Sequence, residues 1–289
     1  DRDNRYREYL NGQRFYEFAK ELRTRLDSDP DAAKEIGEKL RSVQKSILHR
    51  DRMVVMNVAP QGQVEQISDI SRQMLKNLPS LPGAEADYKL PEFADRTGVI
   101  VEGANYYTFS VSDTTEIDNL SGTLFPFLSA LSDRYIVPKI RFQGLAYSAG
   151  LIFPWDLELI ETYTYSDPKV AETVAVIEKE AEQLETLELT QEELDGYILN
   201  AYSAVTAPAG NLDRYMTAMY QDMSGFDTAN WRRLADEIRT ATLDDKEEAV
   251  QTLRRLLENQ HLVTAGNVEL IRAEADIFDK IYDYRMPLE

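Results

Sequence analysis

Hydrophobic positions along the chain change rhythm several times. Phe15, Phe18, Ala19, Leu22 and Leu26 recur at helical spacing, and so do Ala33, Ile36, Leu40, Val43 and Ile47. Between the two sets, Asp29–Pro30 reads as an N-cap followed by proline at the first helical position, so residues 1–50 are expected to form a helical hairpin. From Met53 the pattern becomes mixed. Met53 to Ala59 is a nearly continuous apolar run, read as a buried strand. An amphipathic helix follows, with Val64, Ile67, Ile70 and Leu75 inward, and the turn residues Pro79, Pro82 and Gly83 mark a loop over 77–88.

Two strands are expected at Gly98–Glu102 and Tyr106–Ser112, the second alternating at Tyr107, Phe109 and Val111. A helix from Asn119 to Val137 carries Leu124, Phe127, Leu128 and Leu131, with Pro126 inside it and Pro138 near its end. Leu145, Tyr147, Ala149, Leu151 and Phe153 then alternate up to the turn Pro154–Trp155–Asp156, and Leu157 to Tyr165 returns as a hairpin partner. Asp167–Pro168 opens a helix through Leu187, and Thr190 with Glu193 forms a capping box for the next. Further helices fit Asn211–Met223, Thr228–Thr240 and Lys246–Asn259. A strand at His261–Ala265 precedes a last helix with Ile271, Phe278 and Ile281 apolar. The fold class is α+β: an antiparallel-rich sheet covered by helices, flanked by a helical hairpin. The expected division is a linker hairpin over 1–50 and an α+β domain over 51–289.

Composition removes chemistry more than it adds any. With no cysteine the chain has no disulfide and no thiolate nucleophile, and its two histidines, His49 and His261, stand far apart in sequence. Neither has a second histidine in helical register, so a zinc site made by this chain alone is not expected. His49 reads as a cation at the C-terminal end of a helix, and His261 as a partly buried strand residue. No G-x-S-x-G, G-x-x-x-x-G-K-[ST] or G-x-G-x-x-G element occurs. Zero cysteines is compatible with the cytoplasm, and no apolar run is long enough to cross a bilayer. The chain begins at Asp1, without an initiator Met or a signal pattern, and reads as a piece of something longer.

Charge narrows the partners. The 289 residues carry 32 Lys+Arg and 51 Asp+Glu, a formal net of −19. Residues 1–50 hold 12 basic and 10 acidic side chains, so 20 basic and 41 acidic side chains, a net of −21, lie beyond residue 50. The densest acidic run, Glu178 to Asp195, reads as a solvated helix face. Such a chain repels phosphate backbones, which argues against a nucleic-acid partner and for basic ones.

One constellation carries chemistry. With a helix ending near Pro138 and a strand starting near Leu145, Arg141 falls in the connection and Tyr147 on the strand, while Gly144 between them permits a sharp change of direction. A fold-back there brings Arg141 and Tyr147 onto one ligand. Arg141 offers a planar fork for a carboxylate or carbonyl, and Tyr147 a phenol that donates to a developing oxyanion. Read from the residues alone, a surface arginine and a tyrosine on a half-buried strand stay open as the plainer alternative.

The segment Arg141-Phe142-Gln143-Gly144-Leu145-Ala146-Tyr147 resembles the Arg–Gly–Gly–Ala–Tyr–Gly signature in the C-terminal half of pitrilysin-type zinc metallopeptidases, in their presequence-protease branch. Tyr163-Thr164-Tyr165-Ser166-Asp167-Pro168 resembles the hairpin-to-helix junction of that branch, and Arg14-Phe15-Tyr16-Glu17-Phe18 with the hairpin resembles the approach to its fourth domain. The departures are Leu145 for the second glycine, Ser148 for the last, and Ser166 for the junction arginine.

The resemblance implies four homologous α+β domains in two halves that close around a short, unfolded peptide. It places the Zn²⁺ ion in the first domain, outside this chain, and makes this chain the fourth domain, inactive alone. Its partners would be the N-terminal catalytic half and short peptides, basic ones by charge, with no nucleic acid or membrane. Arg141 would hold the peptide backbone and Tyr147 would support the tetrahedral oxyanion, with Gly144 and Ala146 against the substrate. Two other readings stay open here: a non-catalytic subunit of a two-chain peptidase of this family, acting as a peptide-binding module, and a helical interaction domain in which Arg-x5-Tyr is chance.

Overall fold

A computed structural model of the chain describes residues 13–80, 94–103, 105–154, 158–206, 210–224 and 228–283. They fall into two compact units, one containing 94–206 with 228–283 and the other 13–80 with 210–223.

The smaller unit begins with the expected hairpin, helices Gln13–Ser28 and Ala32–Ile47. The second helix starts two residues later than Asp29–Pro30 implied. The Asp29 carboxylate accepts the main-chain N–H of Asp31 at 3.0 Å, a local turn that spends its acceptor before the helix begins. Met53 to Ala59 is not a strand. Val54 and Val58 are exposed, and the segment has no ladder partner among the described residues, so an apolar run alone did not fix its conformation. In the helix Val64–Lys76 the half-buried stripe is Ile67, Ser71, Leu75 and, just beyond, Leu78, while Val64 and Ile70 point outward. Ser71 belongs to that stripe because its hydroxyl donates to the Asn57 side chain at 3.1 Å and to the Ile67 carbonyl at 3.0 Å.

The larger unit is built on a six-stranded mixed sheet. Its strands are β1 (Arg96–Ile100), β2 (Tyr106–Asp113), β3 (Ser148–Ile152), β4 (Leu159–Asp167), β5 (His261–Gly266) and β6 (Lys280–Asp283), in the order β3-β4-β2-β5-β1-β6. The pairs β3/β4, β4/β2 and β2/β5 are antiparallel, whereas β5/β1 and β1/β6 are parallel. Ile281 therefore lies on a strand, not in a final helix, and the α-helix before it is only Val268–Ala273, followed by a 3-10 turn at Ala275–Ile277. His261 is exposed, with Nδ1 3.5 Å from Asp95 Oδ1, rather than partly buried.

Helices cover one face of the sheet. Leu124, Phe127, Leu128 and Leu131 are fully buried as their spacing required, and join Ile136, Ile140, Leu184, Leu194, Ile238 and Leu253 in the main core. The Thr190–Glu193 capping box is present: Glu193 Oε2 accepts the Thr190 N–H at 2.8 Å, and the Thr190 hydroxyl accepts the Glu193 N–H at 3.3 Å. The helix opened by Asp167–Pro168 breaks after Ile177 and resumes at Glu180. Asp167 is buried and accepts from the Lys169 N–H at 2.8 Å and from the Thr173 hydroxyl, which satisfies it without solvent.

Glu180 departs from the solvated-face reading of the acidic run. It is 1% exposed, and Thr162 Oγ1 donates to its Oε1 at 2.6 Å. Burial pushes its carboxyl up to about 8, so it is a neutral acid at pH 7.

The alternation in β2 is real, but its apolar set faces away from the helices. Tyr106, Thr108, Ser110 and Ser112 are buried, while Tyr107 and Val111 are half-exposed and Phe109 is exposed. Thr162 and Thr164 on β4 and Thr264 on β5 continue the hydroxyl row under the helices. These hydroxyls are partnered: Thr108 Oγ1 lies 3.0 Å from Thr264 Oγ1, Thr164 Oγ1 accepts the Thr108 N–H at 3.1 Å, and Ser110 donates to Gln260 at 2.7 Å. The open face carries Tyr107, Phe109, Tyr163, Tyr165 and Val263 instead. Tyr163 spreads over Gly150 of β3, where a Cβ would come within 3.1 Å of the ring.

Candidate functional site

The expected helix over 119–137 is two segments. An α-helix, Leu124–Leu131, runs directly into a π-helix, Ser132–Gln143. Pro126 falls in the first turn, where its missing N–H costs nothing. Pro138 sits inside the π-helix rather than at its end, because the wider turn relieves the clash that a proline ring makes with the carbonyl four residues back. Arg141 therefore projects from the last turn of a helix and not from a connecting loop.

That last turn closes tightly. The Leu145 N–H donates to the Arg141 carbonyl at 3.1 Å, and the Ala146 N–H to the Ile140 carbonyl at 3.2 Å. A Cβ on Gly144 would lie 2.4 Å from the Ile140 carbonyl oxygen, so close approach demands glycine here. Gly144 itself has an ordinary φ of −77°. The left-handed residue is Leu145, at φ 72°, where the peptidase signature has its second glycine. Ser166, another departure from the family pattern, is also left-handed at φ 55° and accepts from the Asn105 side chain at 2.8 Å.

Regular pairing of β3 begins only at Ser148. Tyr147 precedes it, but its main-chain N–H donates to the Tyr165 carbonyl at 3.0 Å. The Tyr147 and Tyr165 rings meet edge-on at 5.9 Å, and those of Tyr165 and Tyr107 at 5.0 Å. Tyr147 is 73% exposed, so its phenol is presented to solvent at the margin of the aromatic face. Arg141 is also exposed, with its guanidinium 5.5 Å from the centre of the Phe142 ring. Among the described residues no carboxylate lies within 4.0 Å of Arg141 or of the exposed Lys139. In a chain of net charge −19 this rim is locally basic.

Of the four residues expected at the site, Arg141 and Tyr147 are exposed on the two sides of one tight turn, and Gly144 forms it. Ala146 is buried in the core, so only its main chain is available to a ligand. Sequence reasoning missed Tyr165, which holds Tyr147 by main chain and ring, and Tyr107 behind it. The signal was the shared phase of aromatics and hydroxyls on β2 and β4, a two-faced pattern in which the period alone does not say which face is covered.

These residues do not fit a metal ion. Among the described residues no group of three or more His, Asp or Glu side chains is placed to hold one. His49, just past the C-terminal end of the helix Ala32–Ile47, is buried, with Nδ1 3.7 Å from an Asp51 oxygen. Nor is any helix of the described residues long and apolar enough to cross a membrane.

No family model matches the chain. Presequence protease 1, chloroplastic/mitochondrial, of Arabidopsis thaliana is 21% identical to it over 276 residues, which is 92% of this chain. The chain spans 24% of that relative's length. The crystal structure of pitrilysin superposes with a TM-score of 0.53 at 8% identity, over 78% of this chain and 25% of the other. A peptidase M16 inactive domain from Pseudomonas fluorescens gives a TM-score of 0.47 at 14% identity, over 71% of this chain and 51% of that one. In sequence the chain is similar to part of presequence protease, and its α+β fold is similar to that of part of pitrilysin.

Proposed function

We propose that this chain is the C-terminal, fourth domain of a zinc metalloendopeptidase that degrades short unfolded peptides. It is inactive alone, and the zinc is held by the N-terminal catalytic half of the same protein. The observation that carries this reading is the placing of an exposed guanidinium, Arg141, which has no carboxylate partner among the described residues, and a solvent-presented phenol, Tyr147, on the two sides of a turn that Gly144 makes sharp.

In this reading Arg141 grips a main-chain carbonyl of an extended peptide with its planar fork, at a rim where no carboxylate of the described residues competes. Tyr147 donates its O–H to the carbonyl oxygen as that oxygen gains charge. A donor fixed in advance is worth most in a transition state, and the Tyr165 carbonyl and ring supply the fixing here. The aromatic face behind Tyr147 gives the bound segment an apolar wall. The acidic remainder of the chain supports a preference for basic peptides, but not at this rim, where the charges are Lys139 and Arg141.

The test is reconstitution. The chain alone, with zinc supplied, should not hydrolyse an unstructured reporter peptide, and the full-length protein should. Hydrolysis by the isolated chain, or a complete reading frame without an upstream zinc motif, contradicts the proposal.

A further inference from the structure

Leu145 combines two features that each ask for an explanation. Its φ of 72° is a conformation a leucine adopts only at a cost, and one that glycine adopts freely. Its side chain is 70% exposed, so packing does not offset that cost. Two further large side chains within the same turn are equally open: Phe142, 66% exposed, and Tyr147, 73%. Three exposed apolar or aromatic groups thus fall within six positions of one turn, beside a guanidinium that lies 5.5 Å from the centre of the Phe142 ring.

We infer that Leu145 is a specificity-determining residue: with Phe142 it forms an apolar pad that receives a bulky apolar side chain of an extended peptide, next to the main-chain carbonyl held by Arg141. The occupant follows from complementarity. Leu145 and Phe142 offer apolar area without a hydrogen-bonding group of their own, and the guanidinium beside them has no carboxylate within 4.0 Å among the described residues. A peptide supplies both an apolar side chain and a carbonyl at adjacent positions. A second folded domain presents few main-chain carbonyls free to accept from an arginine, because its own backbone donors already occupy them. The strain at Leu145 is then carried because a side chain at this position contacts ligand, which glycine cannot do.

This inference rests on the function proposed above, and the test separates the two. The probes are two uncharged, unstructured peptides of Gly and Ser, identical except for one central Phe or Ala, titrated calorimetrically into the 289-residue chain. Wild type should bind the Phe peptide on the order of 5-fold more tightly than the Ala peptide, the scale of one partly buried apolar side chain. Leu145→Gly, which the backbone accepts, should remove most of that ratio and leave the Ala peptide's affinity unchanged. Arg141→Ala should weaken both peptides alike. A Phe-to-Ala ratio that persists in Leu145→Gly overturns the inference even when Arg141→Ala behaves as stated. If Arg141→Ala changes neither affinity while Leu145→Gly abolishes the ratio, the pad stands and the role given to Arg141 falls. Absence of binding to both peptides overturns both.

Discussion

Tyr147 is tied to Tyr165 twice: its main-chain N–H donates to the Tyr165 carbonyl at 3.0 Å, and the two rings meet edge-on at 5.9 Å. One side chain that the linear motif singles out is thus positioned by another that it does not contain. The turn before Tyr147 and the sheet beside it fix the direction of the phenol together, and each can be probed separately.

The turn is probed at two neighbouring positions with opposite signs. Gly144→Ala drives a Cβ against the Ile140 carbonyl oxygen, a main-chain atom that cannot step aside, and should cost about 1–3 kcal/mol. Leu145→Gly releases a left-handed leucine whose side chain buries little, and should stabilise the chain by up to about 1 kcal/mol. Urea unfolding of the two variants checks the pair. Shifts of the same sign would show that the turn is not built this way.

Glu180 predicts a pH dependence. Its folded pKa, about 8, lies above the ordinary 4.5, so the folded state binds a proton that the unfolded state releases between those values. The stability linked to that proton is complete below about pH 4.5 and is lost as pH rises through about 8, with a slope of up to about 1.4 kcal/mol per pH unit. Glu180→Gln keeps an acceptor for the Thr162 hydroxyl and cannot ionise. It should flatten the stability profile between pH 5 and 8, as followed by chemical denaturation at each pH. An unchanged slope in the variant would contradict the assignment.

The covered hydroxyl row predicts non-additivity. Thr264→Val leaves the buried Thr108 hydroxyl without its 3.0 Å partner and should cost about 1–2 kcal/mol. Adding Thr108→Val removes both polar groups and should recover most of that loss. Calorimetric melting of the single and double variants decides, and additive losses would mean that the hydroxyl pair is not a unit.

What the sequence made legible was local. The helices over 211–223 and 228–240 and the Thr190–Glu193 box depend on neighbours within a turn or two, and they stand close to where spacing put them. Met53 to Ala59 needed a strand partner that no local pattern can guarantee. Pro138 reads as a helix end only while the turn is assumed to be α, and a π-helix admits it. The face of β2 that helices cover depends on Thr162, Thr164 and Thr264 from other strands. At the candidate site, Arg141, Gly144 and Tyr147 could be picked out from a seven-residue motif. The left-handed turn at Leu145 and the hold of Tyr165 on Tyr147 required the fold.

The most direct measurement is kcat/KM for an unstructured peptide, made with the full-length protein that carries this chain and with its Arg141→Ala, Tyr147→Phe and double variants. Each single change should lower kcat/KM on the order of 10²-fold or more, the scale of one lost oxyanion donor. Loss of the Tyr147 phenol should fall mainly on kcat, because its bond strengthens only as the oxyanion forms. Near-normal turnover in the double variant would contradict the function proposed for this domain.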